Sequence, residues 1–277
     1  MRVIVCGTRG STPAPGPEFV RFGGHTSCVA VAHDGQRPSL ILDAGTGIRQ
    51  VSRLLDGQPY AGAILLGHLH WDHTQGLPFF NAGDNPGSQV AVYAPAQGDT
   101  RVVLERFMSP PHFPITPGQL RGSWSFHALE PGAGEIGGFA VLALEIPHKG
   151  GRTFGYRISD GRSTIGYLSD HCPTSLGPGP DGLGERHRAA LELVADCDAV
   201  FHDAQYTDEE LPERASFGHA SIGYAVGLAL EAKVRRLFLY HHDPPRTDDQ
   251  IDALVARYSD AGLPVEAAAE GMVIDLG

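Results

Sequence analysis

An α/β fold built from short strands is predicted by three features of the sequence. Apolar runs of strand length alternate with stretches of helical periodicity, and Gly and Pro collect between them. Several of the apolar runs end in a histidine or an aspartate followed by a Gly/Pro loop, at His68, His148, Asp170, Asp203 and His241. Ligands of α/β sheets bind beyond the carboxyl ends of the strands, so strands ending this way on a common edge would gather those groups in one cleft. No stretch of the 277 residues reads as a linker, and residues 1–277 are read as one domain.

The elements follow in order. Val3–Cys6 is a strand broken by Gly7-Thr8-Arg9-Gly10, which lacks the Gly-Lys-Ser/Thr of a phosphate-binding loop and reads as a sharp turn. Strands are expected from Cys28 through Ala32 and over Leu40–Leu42. The second ends at Asp43, which reads from its position as a cap for the helix from Ile48. The run Ile64–Leu66 leads into the densest chemistry in the chain. Beyond it lie a strand at Val90–Tyr93, a helix at about 99–107, and a proline-stiffened loop, Ser109–Ile115, whose Phe113 offers a wall for a stacked base. Val141–Ile146 is a strand ending at His148. Thr153–Ile158 and Ser163–Leu168 flank Asp160-Gly161 as a hairpin. The loop Pro173–Gly184, beside Asp170, is a candidate lid. A helix at 186–195, a strand at Ala199–Phe201, a helix reaching Ala232, a strand at Arg236–Tyr240 and a helix capped by Thr247 or Asp248 complete the chain.

The segment after Ile64–Leu66 is Gly67-His68-Leu69-His70-Trp71-Asp72-His73. His68 and His70 are two apart, so in extended backbone both imidazoles point to one side, while Asp72 and His73 turn toward a second position. Imidazole and carboxylate suit zinc and neighbouring divalent ions, and four such groups in six residues supply most of two coordination shells. Cys6, Cys28, Cys172 and Cys197 form no Cys-x-x-Cys pair, so neither a thiolate zinc site nor a redox pair is indicated. A net charge of −11 argues against broad neutralisation of a polyanion. Met1–Val5 runs directly into a strand, and no apolar stretch approaches membrane-spanning length; a soluble cytoplasmic protein without membrane contact is expected.

His-x-His-x-Asp-His resembles the signature of the metallo-β-lactamase superfamily. The resemblance extends along nearly the whole chain, through Leu42-Asp43-x-Gly, Pro147-His148, Gly155-Tyr156-Arg157, Tyr167-Leu168-Ser169-Asp170 and Gly218-His219-Ala220-Ser221 to His241-x-Asp243-Pro244. It points to the branch containing ribonuclease Z and cyclic-nucleotide phosphodiesterases. The resemblance implies a four-layer αββα sandwich with a dinuclear metal site at one sheet edge. It implies that His68, His70 and His148 hold one metal and Asp72, His73 and His241 the other, with Asp170 bridging them, and it offers Asp43 as a support for those ligands in place of a helix cap. Zinc is the expected metal, with manganese as the alternative. His241 fits the family's pattern better than His242, although Asp243 stands where serine is usual. By the same resemblance His219 is the general acid, oriented by Asp203, which replaces a glutamate; Asp72 joins them in the catalytic set.

Two divalent ions about 3.5–4 Å apart can polarise a phosphoryl oxygen and generate a bridging hydroxide near neutral pH. The sequence between Tyr93 and His148 lacks the lysine-rich arm that a tRNA-processing member would carry. Hydrolysis of a small 3′,5′-cyclic nucleotide to the nucleoside monophosphate is therefore expected, rather than action on a nucleic acid, with Arg157 or Arg246 steadying the phosphate. The alternative is a ribonuclease Z-like tRNA 3′-processing endonuclease or another phosphodiesterase of the fold. A sensor that binds metal and nucleotide without turnover is an alternative of a different class. The resemblance also implies a homodimer.

Overall fold

A computed structural model describes residues 1–277. In chain order the strands are β1 (Arg2–Gly7), β2 (Cys28–Ala32), β3 (Leu40–Leu42), β4 (Ala61–Leu65), β5 (Gln89–Pro95), β6 (Ser123–Leu129), β7 (Gly132–Ile136), β8 (Phe139–Glu145), β9 (Phe154–Ser159), β10 (Thr164–Leu168), β11 (Ala199–Asp203), β12 (Leu237–Tyr240), β13 (Val265–Ala267) and β14 (Val273–Asp275). The helices are α1 (Ile48–Leu54), α2 (Trp71–Thr74), α3 (Thr100–Glu105), α4 (Arg188–Val194), α5 (Leu211–Arg214), α6 (Ile222–Glu231) and α7 (Asp248–Ala256).

The strands form two seven-stranded sheets, ordered β14-β1-β2-β3-β4-β5-β6 and β13-β12-β11-β10-β9-β8-β7. Each is antiparallel in one part and parallel in the other, the parallel runs being β3 to β6 and β10 to β13. Strand side chains alternate between faces, and here both faces are covered. In β1, Val3 and Val5 enter the core between the sheets, while Ile4 and Cys6 enter an outer core with Ile48 and Val51 of α1. In β12, Phe238 and Tyr240 face the middle, while Leu237 and Leu239 pack outward with the apolar faces of α4 and α6. The result is the expected four-layer α/β/β/α sandwich. Burial of a Phe or Ile side chain in these cores contributes roughly 1.5–3 kcal/mol.

Helix starts agree with local chemistry. The side chains of Asp99, Ser221 and Thr247 cap α3, α6 and α7, the last with Gln250 in a capping box. Asp43 caps nothing; it lies in the left-handed region at φ 59° and turns its carboxylate toward the metal motif. Strands β6 and β7, which no apolar run announces, form a largely exposed flank of the two sheets. β13 and β14, of three residues each, close the opposite edge of each sheet.

The parallel runs place the carboxyl ends of β3, β4, β10, β11 and β12 along one edge. Asp43, His68, Asp170, Asp203 and His241 follow or end those strands. Three buried tyrosines form a polar floor beneath them: Tyr156 donates to Leu66 O (2.6 Å), Tyr167 to Asp43 Oδ2 (2.7 Å) and Tyr240 to Gly7 O (2.6 Å). The proposed lid does not cover this edge. Gly184 and Glu185 fold the loop back onto Pro178 and Gly177, and Leu183 packs against the outer core of α4 and α6. Its glycines and prolines build a compact surface turn.

Candidate metal centre

The extended backbone at His70 and the short helix α2 that follows divide the motif as its spacing requires. The ligand-type atoms of His68, His70 and His148 lie within 4.8 Å of one another, as do those of Asp72, His73 and His241. Asp170 stands between the two trios. Its carboxylate is 3.0 Å from His73 Nε2, 3.4 Å from His241 Nε2, 3.6 Å from His148 Nε2 and 3.9 Å from His68 Nε2.

Hydrogen bonds behind the imidazoles fix which nitrogen faces inward. His73 Nδ1 pairs with Asp43 Oδ2 (2.7 Å), His148 Nδ1 with Gly218 O (2.7 Å) and His241 Nδ1 with Gln205 Oε1 (2.8 Å), leaving each Nε2 to the cluster. Asp43 also accepts from the Gly67 amide, Tyr167 and Ser169, so one buried carboxylate ties β3 to the motif and to β10. The Ser11 amide donates to Asp72 Oδ2 at 2.7 Å. Glycine is required at position 10: a Cβ there would lie 2.4 Å from His241 Nδ1. This is the role of the turn after β1.

Position 241 is separated from 242 by backbone geometry. His241 adopts φ 60° and enters the cluster, while His242 turns away and bonds Ala268 O at 2.9 Å. On the far side of the cluster, His219 Nδ1 meets Asp203 Oδ2 at 2.9 Å. The aspartate is long enough to reach because β11 carries it there, and the amides of His171 (3.0 Å) and Gln205 (3.1 Å) hold it.

The electrostatics of the two trios differ. Burial pushes the imidazoles of His68, His70 and His148 down, toward the neutral form that ligates cations. Burial also opposes charge on His241, but Asp170, the hydrogen bond to Asp72, and Asp203 outweigh it and raise its pKa to about 9. His73 is raised in the same way, against burial, by Asp170, Asp72 and Asp43. Desolvation would lift Asp72 and Asp170, yet the neighbouring imidazoles hold both well below the usual carboxylate range.

Both nitrogens of His68, Nε2 of His73 and Oδ2 of Asp170 are buried without hydrogen-bond partners. Orphaned groups of this kind cost about 1–3 kcal/mol each unless something satisfies them. Imidazole nitrogens and carboxylates converging at this density fit divalent cations.

A family model described as a β-lactamase superfamily domain matches residues 39–242, from the start of β3 through the end of the cluster. The chain belongs to that superfamily. Ribonuclease Z of Methanosarcina acetivorans is 25% identical over 296 aligned positions, covering 90% of each chain. Among solved structures, the metallo-β-lactamase fold protein YhfI from Bacillus subtilis superposes with a TM-score of 0.73 at 18% identity, over 99% of both chains. The short form of human tRNase Z gives 0.70 at 20% identity over the full length of both. As a member of this superfamily the chain is a metal-dependent hydrolase.

Other expectations are corrected by the geometry. Arg157 donates to the carbonyls of Leu193 and Ala195, and Arg246 pairs with Glu210, so neither lines the cleft. The guanidinium that lines the cavity of His219 belongs to Arg214, paired with Asp243 at 2.8 Å. Phe113 packs edge-on against Phe79 and leaves its neighbour His112 to line the cavity. Sequence reasoning missed Gln205, Tyr206 and Arg214. Gln205, two residues after a strand-end aspartate, carried a readable signal; the other two lie in or before the short α5, where nothing distinguishes them from surface residues.

Proposed function

We propose that this chain is a phosphodiesterase of the ribonuclease Z type. The observation that carries the reading is the Asp203–His219 pair, set at 2.9 Å beside two donor trios that share one carboxylate. His68, His70 and His148 hold one cation, Asp72, His73 and His241 the other, and Asp170 serves both; zinc is the expected metal, with manganese second. When bound, two such cations supply Lewis acidity and a water acid enough to ionise near neutral pH. The chain's own residues do the rest. Asp43, Gln205 and the Gly218 carbonyl fix the ligand imidazoles. Asp203 holds Nδ1 of His219, so that Nε2 carries the proton delivered to the leaving oxygen.

The protonated state of His73 and His241 sets a measurable competition. A cation must displace those protons, so its affinity weakens as pH falls and levels off only above the raised pKa values, about 9 for His241. Loading the metal-free protein near pH 7 is expected to release about two protons. Calorimetric titration with zinc in buffers of different ionisation enthalpy reads this number directly. Binding without proton release would mean that both imidazoles are already neutral in the metal-free protein, and would remove this competition.

The relatives named ribonuclease Z support RNA as the substrate and tRNA 3′ processing as the reaction. Hydrolysis of 3′,5′-cyclic nucleotides is a second reading, supported by the charge and the loops. β9 and β10 are joined by a short turn, and the lysine-poor segment between β5 and β8 is taken up by strands β6 and β7, a short helix and tight loops rather than an extended basic arm. Arg106 and Arg214 are the only Lys or Arg residues lining the cleft. Product release from unprocessed tRNA and from purine and pyrimidine cyclic nucleotides, in zinc or manganese, separates the two. Trimmed tRNA with cyclic nucleotides untouched is the result expected of a ribonuclease Z; the reverse pattern would replace that reading with the second.

A further inference from the structure

Two cavities open from the candidate metal centre and meet at Leu69, His70 and Trp71. One, of about 630 Å³, contains His219, Tyr206, Arg214 and Phe217 beside the cluster. The other, of about 620 Å³, is walled by Trp71, Val103 and Phe107, with Gln75, Gln97, Arg106 and His112 as its polar groups beside His70, and no carboxylate lines it. Each alone has the volume of a small-molecule site. We propose that the substrate is a linear phosphodiester that straddles His70, its leaving arm in the His219 cavity and a nucleoside on its retained arm in the cavity of Trp71, Val103 and Phe107. This rests on the phosphodiesterase reading above.

Sidedness follows from the acid. The oxygen of water forms the new bond to phosphorus, the ester bond to the leaving arm breaks, and that arm departs with the proton of His219; the proton lost by water restores the imidazole. The leaving arm therefore occupies the cavity that holds His219, and the arm still attached to phosphorus takes the other. A 3′,5′-cyclic nucleotide carries both ester oxygens on one sugar and has no second arm for a second cavity.

The retained-arm cavity suits a nucleobase in particular. Trp71 is 72% exposed beside two proposed metal ligands, and Phe107 is half-buried in the wall of the same cavity, so aromatic side chains are available for stacking. Side-chain amides offer both donors and acceptors to a base edge, and Arg106 attracts an anionic arm with no acidic neighbour in the cavity to oppose it.

Two esters with the same leaving group isolate the retained side: thymidine 5′-(p-nitrophenyl phosphate) and methyl p-nitrophenyl phosphate. With zinc- or manganese-loaded protein, kcat/KM is expected to favour the thymidine ester by about ten- to a hundredfold. Phe107→Ala should bring that ratio toward one. Trp71→Ala, at a surface position that leaves the core intact, should do the same. Thymidine 5′-monophosphate should quench the fluorescence of Trp71, read in a Trp124→Phe background. Equal kcat/KM for the two esters, or a ratio kept in both variants, overturns the assignment. If neither ester is cleaved, the phosphodiesterase reading fails, and the quenching alone then decides whether the cavity takes a nucleotide.

Discussion

Protein with alanine at position 219 is expected to bind as much zinc as the wild type and to turn over alkyl phosphodiesters about 10²–10⁴ times more slowly. His219 sits beside the donor trios and is tied by Nδ1 to Asp203, whose carboxylate is itself held by two backbone amides. The pair is thus positioned from behind and needs no cation to keep its geometry. Its loss should be felt in proportion to the leaving group's need for a proton. A p-nitrophenolate departs without one, so His219→Ala should slow p-nitrophenyl esters far less than alkyl esters. A structural defect would slow both alike. Metal analysis beside rates on the two ester classes makes the distinction, and full activity toward alkyl esters would remove His219 as the acid.

Replacing Asp170 by alanine is expected to abolish activity and metal content together. Four proposed ligand imidazoles lie within 3.9 Å of this carboxylate, and His219 Nδ1 is 3.7 Å from Oδ1. No other carboxylate lies within 4.0 Å of histidines from both trios. Without its charge, His73 and His241 lose the largest attraction that offsets their burial, and a second dication meets the first with less negative charge between them. Asp170→Asn separates charge from shape: it keeps the side-chain volume and should still lose most of the metal. Near-UV circular dichroism shows whether the sandwich persists. Wild-type metal content in a folded Asp170→Ala protein would place the shared ligand elsewhere.

The shared edge was legible because several apolar strands end in ligand-type residues, which strands of a common sheet gather in one cleft; the four layers followed from the family resemblance. The two trios followed from the spacing of His68 to His73 and from the family resemblance. What escaped was whatever depends on side-chain direction or on weakly apolar backbone. His241 and His242 are adjacent and chemically identical; a left-handed φ at the first, invisible in sequence, decides which enters the cluster. Arg157 lies in a motif shared with the family, yet its guanidinium is claimed by carbonyls at the end of α4. The strand β7, Gly-Ala-Gly-Glu-Ile, has only one buried residue to mark it and is recognised only through its partner β8. The segment taken for a lid was read from its glycines and prolines, which favour mobility and tight folding equally.

The placement of β13 and β14 has a consequence for how the protein is made. Within residues 265–275, β13 pairs with β12 in one sheet and β14 with β1 in the other, Ile4 meeting Val273 and Arg2 meeting Asp275 from opposite ends of the sequence in the second case. During synthesis β1 emerges early and then waits, one side paired with β2 and the other carrying open amides and carbonyls, until this late segment leaves the ribosome. Such non-local pairing slows folding and leaves an unprotected edge where two nascent chains can join. The two short strands thus act as a late seal on both sheets, and truncation within them would lower the yield of folded protein in the cell.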